Sequence, residues 1–287
     1  MSANERLSSF PRPLSSLALI ALAATIGLAT PAAAQDYQFS TLSEGRRSTP
    51  IKEGMPDYNG GFTFCRLQYE SVRNEAAGLG WSTDYPRGDQ NLLVRLSQLT
   101  NIHISHWDDW TPGHAVVRAT DPDLFRCPFL FTSDVGTVGF AEEEVLALRD
   151  YFQKGGFLWV DDFWGDAAWE QWSKEIARIL PDHEIVELGP DHEIFSYLYR
   201  VQEMPQIPNI GYWRRTDGDT RERGEESPRA YLRGIFDSEG RLMVVMSFNT
   251  DIADGWEREG ESNDFFALFS PPAYGLAINV TLWAMTQ

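Results

Sequence analysis

Two adjacent carboxylates, Asp161 and Asp162, close the apolar run Phe157-Leu158-Trp159-Val160. Like charges side by side at the end of a buried strand raise one another's pKa or call for a cation. The competing reading is that one caps the next helix and the other is solvated. They are the candidate metal ligands, and a divalent cation is the one cofactor the sequence invites. A second oxygen-rich group, Asn249, Asp251 and Asp254, follows a later apolar run, with Trp256 beside it. Such donors suit a hard cation and an indole suits a sugar face, although an ordinary turn uses the same residues. His192, in Asp191-His192-Glu193, has the setting of a general base oriented by a carboxylate, or of a turn histidine that satisfies backbone groups. Ser133 opens Ser133-Asp134-Val135-Gly136 directly after the run Pro128–Thr132 and is a candidate nucleophile, without the G-x-S-x-G pattern of a nucleophile elbow. Arg66, Gln68 and Asp134 complete the expected ligand-binding set. His103, His106 and His114 surround Trp107-Asp108-Asp109-Trp110. Because Ile102 to Ser105 reads as extended, neighbouring positions there face opposite sides, and surface histidines are expected.

These groups need a scaffold. Phe62 to Tyr69 and the continuous run Pro128 to Thr132 read as strands, with shorter ones at Ile102–Ser105 and Ala115–Ala119. Leu92, Leu93, Leu96 and Leu99 mark one face of a helix over Asp89–Thr100. Glu142-Glu143-Glu144 place negative charge in a first turn, and Val145, Leu148 and Phe152 follow at helical spacing. Lys154-Gly155-Gly156 then stops the helix. Another helix starts near Asp166, with Trp169, Trp172, Ile176 and Ile179 on one face, followed by a strand over Glu184–Leu188. This alternation calls for a parallel sheet with right-handed crossovers. Arg214 to Arg229 reads as a mobile loop. Ala230–Phe236 and Arg241–Phe248 flank Asp237-Ser238-Glu239-Gly240 as a β-hairpin extension, and Tyr274–Met285 closes the chain as a helix. In doubly wound sheets, ligands sit beyond the carboxyl ends of the strands. That is where Arg66, Gln68, Ser133, Asp134, Asp161 and Asp162 should gather.

Several segments, in this order and spacing, resemble an uncharacterised bacterial domain family: Phe62 to Tyr69, Asp121-Pro122-Asp123-Leu124-Phe125 with Pro128-Phe129-Leu130, Glu144 to Gly156, Asp161-Asp162, Asp191 to Phe195, Gly240-Arg241-Leu242 and Asp251 to Trp256. The same domain occurs at the C-terminus of aerotolerance-type membrane proteins, and it is similar to the class I glutamine amidotransferase-like superfamily. The resemblance implies a flavodoxin-like, doubly wound, mainly parallel sheet and no known activity. Working amidotransferases carry a cysteine on the strand-to-helix turn. Here that turn holds Ser133 and Asp134, and Cys127 lies at the wrong end of its strand.

The N-terminus reads as a secretory leader: Arg6 and Arg12, an uncharged run from Leu17 to Thr30, then Ala32-Ala33-Ala34. Cleavage after Ala34 is expected, because a run of 14 residues is short of the ~20 that span a bilayer. Residues 1–34 are thus a signal peptide, 35–61 a polar arm and 62–287 one amidotransferase-like α/β domain, periplasmic or secreted. No transmembrane segment is expected after cleavage. The formal charge is −18, and removing the net +1 of residues 1–34 leaves about −19. That surface repels nucleic acid and anionic membranes. Cys65 and Cys127 either pair in an oxidising compartment or stay as buried thiols. The expected function is a non-catalytic module of the cell envelope. It would bind a small polar or sugar ligand, or a protein partner in the envelope or a membrane complex. The alternative is a hydrolase acting on an envelope glycan, peptide or amide through Asp161, Asp162 and His192 with a divalent cation.

Overall fold

Alternation along the strands sets the two faces of the sheet. In the computed structural model, which describes residues 51–57, 60–75 and 78–287, Phe64, Phe129, Phe131, Phe157, Trp159 and Val245 share one core with Leu92, Leu93 and Leu96. Their neighbours Cys65, Leu67, Leu130, Leu158, Val160, Val244 and Met246 share a second core with Leu148, Phe152, Trp172 and Ile176. Both faces are apolar, as a sheet covered by helices on both sides requires. Residues 1–50, which hold the expected leader and most of the expected arm, lie outside the described residues.

The strands are β1 (Phe64–Gln68), β2 (Glu70–Ser71), β3 (His114–Arg118), β4 (Phe129–Ser133), β5 (Val138–Gly139), β6 (Phe157–Phe163), β7 (Ile185–Glu187), β8 (Tyr231–Phe236) and β9 (Leu242–Phe248). Seven of them form one sheet in the order β3-β1-β4-β6-β9-β8-β7, while β2 and β5 pair as a separate ribbon. From β3 to β9 the pairing is parallel. Numbered among themselves, these strands run 2-1-3-4-5, the flavodoxin-like order, with its switch point between β1 and β4. Helix α1 (Arg87–Leu99) crosses from β1 to β3, α2 (Glu142–Gln153) lies between β4 and β6, and α3 (Gly165–Ile179) follows β6. Two short helices, α4 (Ile210–Arg215) and α5 (Asp254–Glu257), precede the long α6 (Asn263–Met285).

Four expectations about the scaffold change. The hairpin β8–β9 is not an appendage: β9 is the fifth parallel strand, and β8 runs antiparallel to it. The strand near Glu184–Leu188 is antiparallel too, at the sheet edge. Ile102–Ser105 supplies only a bridge between Phe62 and Ile104. Helix α6 begins at Asn263 and carries Pro271 and Pro272 inside it. Proline disfavours a helix interior, but burial of Phe265, Ala273, Leu276 and Ile278 sustains the helix through both. By length and composition α6 is long and apolar enough to cross a bilayer; here the helix packs into the protein core.

Cys65 and Cys127 form a disulfide with Cα atoms 5.8 Å apart, tying β1 to the turn before β4. Spacing alone left this open, because the two lie 62 residues apart and meet only once the sheet forms. Closing a loop of that length removes chain entropy worth about 4 kcal/mol from the unfolded state.

Candidate functional site

The polar face of the carboxyl edge follows from the same alternation. Arg66, Ser133 and Asp161 succeed Phe64, Phe131 and Trp159 on the α1 face, and Ser133 pairs in register with Asp161. All three are buried with no exposed surface. Arg66 donates to both carboxylate oxygens of Asp89 on α1 through Nε, at 3.1 and 3.0 Å. Its Nη1 donates to the carbonyls of Trp81 and Thr83, at 2.9 and 2.8 Å, and reaches Ser133 Oγ at 3.4 Å. The guanidinium therefore fixes the loop that carries Asp84, and Ser133 is sealed beneath it. Arg66 is a positioning residue and Ser133 has no access to a substrate.

Beyond these groups lies a cleft of about 80 Å³. Its lining includes Glu75, Asp84, Asp134, Asp162, Trp164, Glu222, Arg223, Asp251 and Arg258. Two larger hollows, of about 490 and 800 Å³, share none of these residues; the small cleft alone sits where a doubly wound sheet presents ligands. Four Asx residues in and around it, Asp84, Asp134, Asp162 and Asn249, have left-handed backbones with φ of 53 to 63°. Asp and Asn tolerate this conformation better than other non-glycine residues. In β6 the register slips between Val160 and Phe163, which turns Asp162 out toward the cleft while Asp161 points inward. The Asp161 Oδ2 accepts from the Ala253 N–H at 2.9 Å and so anchors the start of α5.

Electrostatics in the cleft are lopsided. Burial, and then the like charges of Asp84, Asp134, Glu222 and Asp161, hold the Asp162 carboxyl well above the usual carboxylate range. Asp251 is raised in the same way by burial, Asp162, Asp84, Asp254 and Asp161. Burial is the main cause again for Asp84, with Glu257 and Asp254 adding to it and Arg66 opposing. Asp134 is pushed up to about 7, mostly by burial, although the Gly80 N–H donates to its Oδ2 at 2.8 Å. A neighbouring group is better compensated. Arg258 Nε bonds Asp254 at 3.2 Å, and its terminal nitrogens meet Glu257 and Glu261, each at 2.7 Å.

The expected ligand set is thus divided. Asp134, Asp162 and Asp251 line the cleft; Arg66, Gln68, Ser133, Asp161, Asn249 and Trp256 do not. Asn249 holds the chain together instead: its Oδ1 accepts from the Gly165 N–H at 2.9 Å. Trp256 packs at 5.5 Å from Trp159 and 5.8 Å from Phe131 in the core, so it offers no face to a sugar. His192 caps a short turn and packs on Phe236 and Trp283, away from Asp161 and Asp162. His114, expected at the surface, is buried in β3 against Tyr85; His103 is exposed. The segment read as a mobile loop is folded over the site. Asn209 caps α4, and Glu222 accepts from the Asn209 N–H at 2.5 Å and faces the cleft.

A family model described as a domain of unknown function, DUF4159, matches residues 63–285. The chain belongs to this family. The match spans the whole sheet, from β1 to α6, and every cleft residue named above. No curated protein matches the chain.

Proposed function

We propose that this member of the family is a non-catalytic module, exported to the cell envelope, that binds a positively charged ligand in the acidic cleft at the carboxyl edge of its sheet. The observation that carries the reading is the set Asp84, Asp162 and Asp251, whose carboxylates make no ion pair among the described residues. Buried and half-buried carboxylates without a counter-charge favour a cation over a sugar or an anionic ligand. Non-catalytic use is supported by the nucleophile inventory. Both cysteines of the chain are in the disulfide, Ser133 is sealed by Arg66, and none of the five histidines lines the cleft. The leader-like N-terminus and the disulfide both support an oxidising compartment. Kinship with amidotransferase-like domains is part of this reading, supported by the 2-1-3-4-5 strand order and the Ser133-Asp134 turn after β4.

Thermal unfolding checks it. Spermidine or calcium should raise the melting temperature of the wild-type chain but not of Asp162→Asn or Asp251→Asn, because a ligand stabilises only the state that binds it. Stabilisation by a neutral sugar alone, unchanged in both variants, would overturn the reading.

One observation favours a second reading, a cation-dependent hydrolase. Asp134 lines the same cleft with its carboxyl pushed up to about 7, where a general base works well at neutral pH. Turnover of an envelope glycan, peptide or amide that Asp134→Asn abolishes would establish it in place of the first.

A further inference from the structure

We propose that Asp84, Asp162 and Asp251 hold one hard divalent cation through carboxylate oxygens at the carboxyl edge of β6 and β9. The inference rests on the reading of the cleft as a cation-binding site, and it names the cation class and its ligands.

The geometry fits a single metal ion. One oxygen from each of the three carboxylates lies within 4.8 Å of the other two. Oxygens bound to one calcium ion at about 2.4 Å can be no more than about 5 Å apart, so the trio already fits inside one coordination shell. An alkylammonium or guanidinium would need acceptors aligned with its separate N–H bonds and room for its carbon skeleton. The cleft's volume of about 80 Å³ admits an ion with several waters.

A second observation is independent of the clustering. Asp84 is only 7% exposed, and its Oδ2 has no hydrogen-bond partner. Buried carboxylate oxygens are almost always satisfied, because desolvation without a partner is costly. This one belongs to a residue of the trio that lines the cleft. The other two are placed to share an ion: Asp162 uses Oδ1 to accept from Trp164 Nε1 at 2.9 Å, and Asp251 uses Oδ1 to accept from the Asp254 N–H at 2.8 Å. Each keeps its second oxygen for coordination.

Asp84 also belongs to a second trio, with Asp254 and Glu257. There Arg258 already supplies the positive charge, bonding Asp254 and contacting Glu257. The guanidinium makes no ion pair with Asp162 or Asp251. The first trio is therefore the one left to an added cation, and Asp161, expected as a ligand from the sequence, is replaced by Asp84 and Asp251.

Trp164 provides the readout. Its indole touches Asp162, so terbium bound at the trio should luminesce when tryptophan is excited. The purified chain is titrated with terbium, and calcium and magnesium are then added as competitors. The expected result is saturable sensitised emission that calcium displaces. Asp162→Asn and Asp251→Asn should each weaken terbium binding at least tenfold, and Asp182→Asn, beside a different hollow, should not. Asparagine is accepted at the left-handed backbone of Asp162, so that variant should fold; circular dichroism checks that it does. Absent emission, or emission equally strong in folded Asp162→Asn, overturns the proposal. If terbium and calcium fail while spermidine still stabilises the wild-type chain through Asp162, the metal assignment falls and the broader cationic-ligand reading stands. If none of the three binds, both fall.

Discussion

Replacing Arg66 by methionine tests how the cleft is positioned. Arg66 and Asp89 are an ion pair whose side chains have no exposed surface. Removing the guanidinium leaves Asp89 buried without its partner, which costs about 3–5 kcal/mol in such settings. The carbonyls of Trp81 and Thr83 lose their donor as well. For a domain of this size each kcal/mol lowers the melting temperature by about 2–4 °C, so a drop of about 6–20 °C is expected. The double variant Arg66→Met/Asp89→Leu should recover much of that loss, because it removes both buried charges. It should not recover cation affinity, since neither replacement can hold the loop ahead of Asp84. Urea denaturation gives the stabilities, and terbium titration gives the affinity. A loss under about 1 kcal/mol in Arg66→Met would refute the buried-pair argument. Wild-type terbium affinity in the stable double variant would refute the positioning role.

Changing Cys65 and Cys127 together to alanine should lower stability by about 4 kcal/mol through loop entropy, read from urea midpoints; an unchanged midpoint would contradict the cross-link. Asp134 gives a pH signature. Its folded-state value is about 7, against about 3.9 unfolded, so its stabilising contribution is complete below about pH 4 and is lost as pH rises through about 7. In chelator-treated protein, wild type should therefore lose stability between about pH 4 and 7 relative to Asp134→Asn, and parallel stability curves would contradict this. Trp256→Ala should cost about 3–5 kcal/mol, as large aromatic truncations in a core do; a neutral effect would mean that the indole is not packed against Phe131 and Trp159.

The central strands were legible because the runs before Ser133 and Asp161 are continuously apolar, which only a doubly covered sheet demands. Once those strands are drawn, Asp134 and Asp162 fall at their carboxyl ends, and Asp251 follows β9 in the same way. Asp84 was invisible for a physical reason: Ser82-Thr83-Asp84-Tyr85-Pro86 is ordinary turn chemistry, and only Arg66, bonding across from β1, brings it to the cleft. Glu222 was lost because its segment is polar and glycine-rich, which reads as loop whether or not it packs on a site. The split between Asp161 and Asp162 depends on a register slip in β6 that no residue type announces. Trp256 shows the limit of residue type as a guide. A tryptophan beside carboxylates suits a sugar platform, yet its environment is set by Phe131 and Trp159, which lie far away in sequence.

The most direct measurement is anomalous diffraction from crystals of the chain grown with manganese, recorded at the manganese absorption edge. A single strong peak about 2.0–2.6 Å from oxygens of Asp84, Asp162 and Asp251 is the expected result, at the distances of oxygen-coordinated divalent cations. The account would be contradicted by the absence of a peak there, with the Arg258 guanidinium moved across to pair with Asp162 and Asp251.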